Sequence, residues 1–414
     1  MTDLLPDNIP WTSGNYLKLH TGGNEFFPAL IAAIDKAQHN VFLETYLYAD
    51  DLTTAAITEA LLRAGMRGVQ VQVLVDGFGS RHFFRSLAQT FQGTGVRFLV
   101  YRPEHRSWKF RRSRLRRLHR KLAVVDHHIA FIGGINIIDD NNTPPGLSPR
   151  FDFAIEASGP IAQQVHHAAL REWALVARSG FQSHLHHWRQ HWTAEYRQLS
   201  HRLRQSLMVS TAQKQLTKPG QVRFLPRDNT RHRQTIANAY LSAIESAQQH
   251  IILAHVYFLP GFRFRHALRE AALRGVQVTL LLQGTSDHPL LQYATQALYG
   301  NLLRAGIELH EFTGGFLHAK VGCIDGQWCT VGSSNIDPFS LSLAHEGNLE
   351  IRDSEFAGAL EQRLKTAIEQ QSRQITLEQL KHAGWWSRAN RWLAYGLVQL
   401  LINFAGYGAR RGMD

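Results

Sequence analysis

The chain has 414 residues, 44% of them hydrophobic and 19% charged, which excludes a disordered polymer and leaves length for two domains with sizeable cores. A formal net charge of +12 and a pI of about 9.9 point to polyanionic partners, either nucleic acid or an anionic membrane surface. Cys323 and Cys329 are too few for a disulfide framework and read as small buried side chains in a reducing compartment.

The first residues, Met1-Thr2-Asp3-Leu4-Leu5-Pro6-Asp7, hold neither a basic nor an apolar stretch, so no secretory signal is expected. Ala33 to Gln38 reads as helix and Val41-Phe42-Leu43 as the strand after it. Ala55, Ala56, Ala60, Leu61 and Ala64 keep helical spacing, and Gly65 predicts the stop. Val69, Val71, Val73 and Val75 alternate with Gln70 and Gln72, the period of a half-buried strand. Between Arg102 and Arg120 the chain carries eight arginines and Lys109, interleaved with Trp108, Phe110, Leu115 and Leu118. Guanidinium forks bind phosphate bidentately, so this insert suits an anionic surface. Leu118 to Val125 reads as a strand on which His119 and Lys121 share a face. Asp126 closes it on the opposite parity, and the turn Gly133-Gly134-Ile135-Asn136 follows.

From about Ser179 to Gly220 the rhythm breaks into a polar connector. Its His184, His186, His187 and His191 have no carboxylate or cysteine to complete a ligand set, so they read as a solvated or membrane-facing linker and not as a metal site. Beyond it the first half recurs. Ala243-Ile244-Glu245-Ser246-Ala247-Gln248 followed by Ile251-Ile252-Leu253 matches the earlier helix and strand. Arg274-Gly275-Val276-Gln277-Val278 matches Arg67-Gly68-Val69-Gln70-Val71, and Gly306-Ile307 matches Gly95-Val96. His318, Lys320 and Asp325 repeat His119, Lys121 and Asp126, and Gly332-Ser333-Ser334-Asn335 repeats the glycine turn. In both copies the asparagine lies seventeen residues after the histidine (136 − 119 and 335 − 318). Alternating strands and helices predict an α/β fold of two homologous halves related by a pseudo-twofold axis, with one centre at the seam.

From Trp392 to Ala409 the chain has no charged residue. Leu393, Leu397, Leu400, Leu401 and Phe404 form one stripe, flanked by Arg388 and Arg391 before it and Arg410 and Arg411 after it. The length is marginal for a span, so the segment predicts a helix lying in the membrane interface. A terminal helix packed on the core is the competing expectation.

The duplicated pattern carries the chemistry. Two imidazoles facing one centre suit a double displacement at phosphorus: one attacks and forms a phosphohistidine, the other protonates the leaving oxygen and then deprotonates the incoming nucleophile. Lys121, Lys320, Asn136 and Asn335 would hold the non-bridging oxygens and oppose charge in the transition state, so no metal or other cofactor is required. Asp126 and Asp325 are poor candidates for ligand contact on strand parity and read as partners for basic groups or turn amides. Each imidazole needs an acceptor to fix its tautomer. Glu346, twenty-eight residues after His318, and Asp152, at the comparable place after the first motif, are the candidates.

The paired His-x-Lys-x4-Asp, each with its glycine turn and asparagine, resembles the signature of the phospholipase D superfamily over about residues 15 to 370. Leu118-His119-Arg120-Lys121, Val331-Gly332-Ser333-Ser334-Asn335-Ile336-Asp337-Pro338 and Gly384-Trp385-Trp386 are most similar to bacterial cardiolipin synthases of the type without N-terminal transmembrane helices. The resemblance implies two phospholipase D-like α/β/α sandwich halves and a catalytic motif set of His119, Lys121, Asp126, His318, Lys320 and Asp325. It implies His119 as nucleophile, His318 as acid and base, and Asp152 and Glu346 as orienters. It also implies phosphatidyl transfer from one phosphatidylglycerol to another with release of glycerol, at the cytoplasmic side of an inner membrane. Ser333 joins Asn136 and Asn335 as a phosphate-binding candidate. Gly134 stands where Ser333 stands in the second copy, so the halves are not equivalent.

The expected organisation is a first half at 1–178, a connector at 179–220, a second half at 221–372 and membrane-interacting helices at 373–414. The expected partners are phosphatidylglycerol and an anionic phospholipid membrane, with no nucleic acid. Hydrolysis to phosphatidic acid shares the intermediate and stays open. The apolar C-terminal segment disfavours a nuclease, and two intact motifs disfavour a non-catalytic scaffold.

Overall fold

The computed structural model describes residues 9–103, 116–180, 220–285, 287–382 and 385–402. Most of the basic insert, the connector histidines, Phe404, Arg410 and Arg411 lie outside the described residues.

The first half runs β1 (Tyr16–Thr21), α1 (Gly22–Lys36), β2 (Asn40–Thr45), α2 (Leu52–Met66), β3 (Gln70–Asp76), α3 (Phe84–Phe91), β4 (Val96–Tyr101), β5 (Leu122–Val125), β6 (Ile129–Gly133), β7 (Arg150–Phe151), β8 (Phe153–Ser158) and α4 (Pro160–Gly180). The second runs β9 (Gln221–Arg227), α5 (Thr235–Ser246), β10 (His250–His255), α6 (Phe262–Leu273), β11 (Gln277–Gln283), α7 (Pro289–Arg304), β12 (Glu308–Phe312), β13 (Phe316–Leu317), β14 (Lys320–Ile324), β15 (Trp328–Gly332), α8 (Pro338–Ser342), β16 (Glu346–Arg352) and α9 (Ser354–Gln371). β17 (Ser372–Ile375), α10 (Leu377–His382) and α11 (Trp385–Ile402) close the described chain.

One sheet has the order β1-β8-β6-β5-β2-β3-β4, the other β9-β16-β15-β14-β10-β11-β12-β17. Strand for strand the two match, with β17 added. β2, β3 and β4 pair in parallel, as do β10, β11 and β12, and the motif hairpins join antiparallel. Helices cover both faces of each sheet. One core lies between the halves and combines Phe42, Ile155 and Trp173 with Ile252, Val321 and Leu360. Cys323 and Cys329 are buried, unbonded neighbours across β14 and β15.

The repeats encode repeated devices. Arg67 follows α2 and donates to Ile34 O at 2.9 Å; Arg274 follows α6 and donates to Ile244 O at 3.1 Å. Gly68 and Gly275, at φ of 86° and 89°, end these helices in the left-handed region. The expected stop at Gly65 is therefore corrected: α2 runs to Met66. Gly65 is small for another reason, because a Cβ there would meet Thr94 O at 2.6 Å. β3 also departs from the half-buried expectation. Gln72 is buried like its valine neighbours, though less completely, because helices cover both faces of that strand.

β17 pairs with β12, so the second sheet continues past the expected boundary at 372. Beyond it, α11 packs on α7. Ala394, Val398 and Ile402 recur every fourth residue and are buried in that contact. Burying a valine or isoleucine contributes about 1.5–3 kcal/mol, enough to hold the helix in place. Leu393, Leu397, Leu400 and Leu401 lie on the opposite stripe and are exposed, Leu393 by 72%. The buried face meets the expectation of a terminal helix packed on the core.

Candidate active site

Each motif histidine is stitched by its backbone to the other half. His119 N donates to His345 O at 2.9 Å, and His345 N donates to Arg117 O at 2.7 Å. At the second motif β13 pairs in parallel with β7, and His318 N donates to Phe151 O at 2.8 Å. This stitching shortens the expected strand. β5 begins at Leu122, because Leu118 bridges to His345 instead of extending the pairing with β2. His119 and His318 both lie just ahead of their hairpins.

The orienting carboxylates cross the seam. His119 Nδ1 donates to Glu346, 3.0 Å from Oε1 and 3.1 Å from Oε2. His318 Nδ1 donates to Asp152 Oδ2 at 2.6 Å. Each imidazole therefore takes its acceptor from the opposite half, and each Nε2 is left for chemistry. Lys121 Nζ donates to His119 O at 2.7 Å, and Lys320 Nζ donates to the His318 carbonyl. The Tyr46 ring packs 4.9 Å from the His119 ring.

The electrostatics tie the four groups together. Burial lowers the pKa of His119, with Glu346 opposing and Lys121 and Lys320 adding to the fall. Burial also sets His318 well below its ordinary value, and Lys320, Lys121 and His119 push the same way. Both rings are thus neutral in the free site near neutral pH. Burial brings Lys121 down to about 7 and Lys320 to about 8, although Glu346 and Asp152 favour their charged forms. Asp152 is pushed up to about 7 by burial, against the pull of Lys320. A phosphodiester entering this site would bring the negative charge that two buried lysines lack.

Asn136 Oδ1 accepts from Leu47 N at 3.2 Å, which aims the amide NH2 group as a donor. Asn335 is buried and its Oδ1 has no hydrogen-bond partner among the described residues.

Three candidates fall elsewhere. Asp126 accepts from the amides of Gln38, His39 and Asn40 at 2.8–2.9 Å, and Asp325 accepts from Gln248, Gln249 and His250 at 2.8–2.9 Å. Both sit at positive φ in the hairpin turns, 50° and 52°. They clamp the helix–strand turns to the hairpins and take no place at the centre, which corrects their inclusion in the catalytic set. Ser333 is corrected too. Its Oγ donates to Glu346 Oε2 at 2.5 Å and accepts from Gly347 N at 3.0 Å, so it supports the carboxylate that holds His119. At Gly134 a Cβ would collide with the Asp152 carboxylate, so the shorter acid backs onto glycine and the longer one onto serine. Arg120, counted with the insert, points inward and is bidentate on Glu44 at 2.9 Å.

Asp76 and Gln283 were not foreseen. Asp76 Oδ2 accepts from Leu118 N at 2.9 Å, and Gln283 Oε1 accepts from Leu317 N at 2.6 Å. Each pins the residue before a motif histidine to the end of a central parallel strand. The available signal was a polar residue closing an apolar strand run, at Val75-Asp76 and Leu282-Gln283.

The family described as cardiolipin synthase, phospholipase D-like domain, matches residues 30–173 and 240–368. The chain is 35% identical to cardiolipin synthase B of Shigella flexneri and of Escherichia coli K12, over 96% of this chain and 91% of each relative. It is 31% identical to cardiolipin synthase A of Pseudomonas putida over 89% of this chain and 71% of that protein. Among solved structures, the phosphatidylserine synthase of Haemophilus influenzae superposes with a TM-score of 0.70 at 13% identity, covering 96% of both chains, which speaks for the fold alone.

Proposed function

The chain belongs to the phospholipase D-like cardiolipin synthase family, and we propose that it transfers a phosphatidyl group from one phosphatidylglycerol to another. The observation that carries this reading is the crossed pair of imidazole–carboxylate contacts, which aims both motifs at one centre. In the first step His119 Nε2 attacks phosphorus, the bond to the glycerol oxygen breaks, and His318, which takes up a proton at Nε2 once the anionic phosphodiester is bound, gives that oxygen the proton. In the second, His318 takes the proton of the acceptor's glycerol hydroxyl. The new oxygen–phosphorus bond replaces the His119–phosphorus bond and cardiolipin leaves. Lys121, Lys320, Asn136 and Asn335 hold the non-bridging oxygens throughout.

Purified protein incubated with phosphatidylglycerol vesicles is expected to yield cardiolipin and glycerol in equal amounts by mass spectrometry. Phosphatidic acid in place of cardiolipin would replace transfer by hydrolysis.

Such an enzyme works at a lipid surface. Among the described residues no helix is long and apolar enough to cross a membrane. The exposed stripe of α11 supports peripheral binding, and the stacked Trp385 and Trp386, with ring centroids 3.8 Å apart, suit an interfacial helix start. We assign the protein to the cytoplasmic face of the inner membrane, bound to anionic phospholipid. Deleting α11 would uncover α7, so substitution is the cleaner test. Changing Leu393, Leu397, Leu400 and Leu401 together to serine is expected to abolish co-sedimentation with anionic vesicles and to leave the thermal midpoint within a few degrees. Co-sedimentation equal to that of the parent protein would return the helix to a purely structural role.

A further inference from the structure

Among the described residues, two buried arginines meet a carboxylate: Arg120 is bidentate on Glu44 at 2.9 Å, and Arg223 meets Glu350 at 2.6 Å. Arg150 departs from this. Its Nη1 donates to Asp139 O at 3.2 Å and its Nη2 to Asn142 O at 3.1 Å. The guanidinium carbon stands 5.6 Å from the Phe316 ring centroid. Nε is buried with no partner. Among the described residues no carboxylate reaches Arg150 within ion-pairing distance. The nearby acids are engaged elsewhere. Asp152 holds His318; Asp140 accepts from Gly23 N at 2.5 Å; Asp139 accepts from Thr53 at 2.6 Å; Asp287 accepts from Tyr257 at 2.6 Å.

Arg150 is half-buried and lies two residues before Asp152, paired across β7 and β13 with Phe316. Its charge acts on both His318 and Lys320. The position related to it by the pseudo-twofold axis is Ala344, since Asp152 corresponds to Glu346. The lysines and asparagines are duplicated, so they cannot distinguish donor from acceptor. Arg150 occurs on one side only, beside the histidine that must activate the acceptor hydroxyl.

A phospholipid acceptor carries a phosphodiester of its own. The glycerol bridge that joins the two phosphates spans six single bonds, so the second phosphate lies within roughly 7 Å of the reacting one. A guanidinium with unused N–H donors is the group best suited to hold it. We propose that Arg150 is the anion subsite for the acceptor: it holds the phosphodiester that does not react and directs the intermediate to a phospholipid instead of water or a neutral alcohol. The proposal rests on the transferase reading above.

The test is a competition. The full-length protein receives phosphatidylglycerol together with ethanol, and cardiolipin and phosphatidylethanol are measured from the same tube. Both products arise from one intermediate, so their ratio reports acceptor choice whatever the total turnover. Arg150→Gln is expected to lower the cardiolipin to phosphatidylethanol ratio about tenfold, the worth of one charge-assisted hydrogen bond. Arg150→Lys, which keeps the charge and loses the fork, is expected between the two and serves if the glutamine variant does not fold. An unchanged ratio overturns the proposal, because a residue that only supports Asp152 and His318 would depress both products together. If the wild type makes phosphatidylethanol but no cardiolipin, the reading of phosphatidylglycerol as acceptor falls, and the acceptor subsite with it.

Discussion

Replacing His119 by alanine is expected to abolish phosphatidylglycerol turnover, by at least about 10⁴-fold, since the intermediate loses the atom that carries it. Replacing His318 by alanine is expected to cost as much with phosphatidylglycerol but to leave a trace that tells the two apart. Without His318 the glycerol oxygen must leave unprotonated. A phosphodiester whose leaving group is a nitrophenolate needs no such help. The His318→Ala protein should therefore release one equivalent of nitrophenol in a burst and keep an acid-labile phosphoryl group on His119. Glu346 keeps its hold on His119 Nδ1 in that variant, so the nucleophile stays aimed. The His119→Ala protein should give neither burst nor adduct. An adduct mapped to His318 would exchange the two roles, and full turnover by either variant would break the shared centre. Circular dichroism should match the parent protein in both, because the rings contribute little to the core beyond their contacts with Glu346, Asp152 and Tyr46.

Much of this arrangement was readable from one strand of text. The doubled Arg-Gly-Val-Gln-Val run, the matched helix ends and the two motifs fixed a pair of halves, and the sheets follow them strand for strand. The reason is physical: each repeat encodes a local contact, such as Arg67 on Ile34 and Arg274 on Ile244, that needs no knowledge of the other half. What crosses the seam was not readable. Glu346 follows His318 in the chain yet serves His119, and Asp152 follows His119 yet serves His318. Chain distance carries no information about which half supplies an acceptor. Asp76 and Gln283 escaped for a related cause: a polar residue closing an apolar strand run marks each, but the partner is a backbone amide that no side-chain pattern names. Ser333 was placed on the phosphate because a hydroxyl in a glycine turn suggests it, whereas its partner is a carboxylate thirteen residues on. The terminal helix was apolar on both faces, and a stripe cannot say which face meets protein.

The lysines make the steepest claim about electrostatics, and pH tests it. Lys121 and Lys320 are both buried, burial depresses the charged form of each, and the charge of Lys320 adds to the fall at Lys121. Lys121→Met or Lys320→Met is expected to lower kcat about 10²–10³-fold, the range seen when one preorganised donor is removed from a developing anion. Arginine should rescue poorly, because its fork does not fit the space of an ammonium that already donates to its own motif's histidine carbonyl. The sign of the pH effect follows from the direction of the shifts. A lysine is charged below its pKa, and burial brings these two to about 7 and about 8. In the free enzyme, raising the pH through that window removes the positive charge that receives the phosphodiester. The kcat/KM profile should therefore fall on its alkaline side between about pH 7 and 8, far below the ordinary lysine range. Bound substrate supplies a negative charge that favours both ammonium groups, so the corresponding limb of kcat should lie at higher pH. Removing Lys121 should erase the lower part of the window and leave the part due to Lys320. A kcat/KM profile that stays flat to pH 9 in the wild type would mean that the two ammonium groups are not held in this shared, dry site.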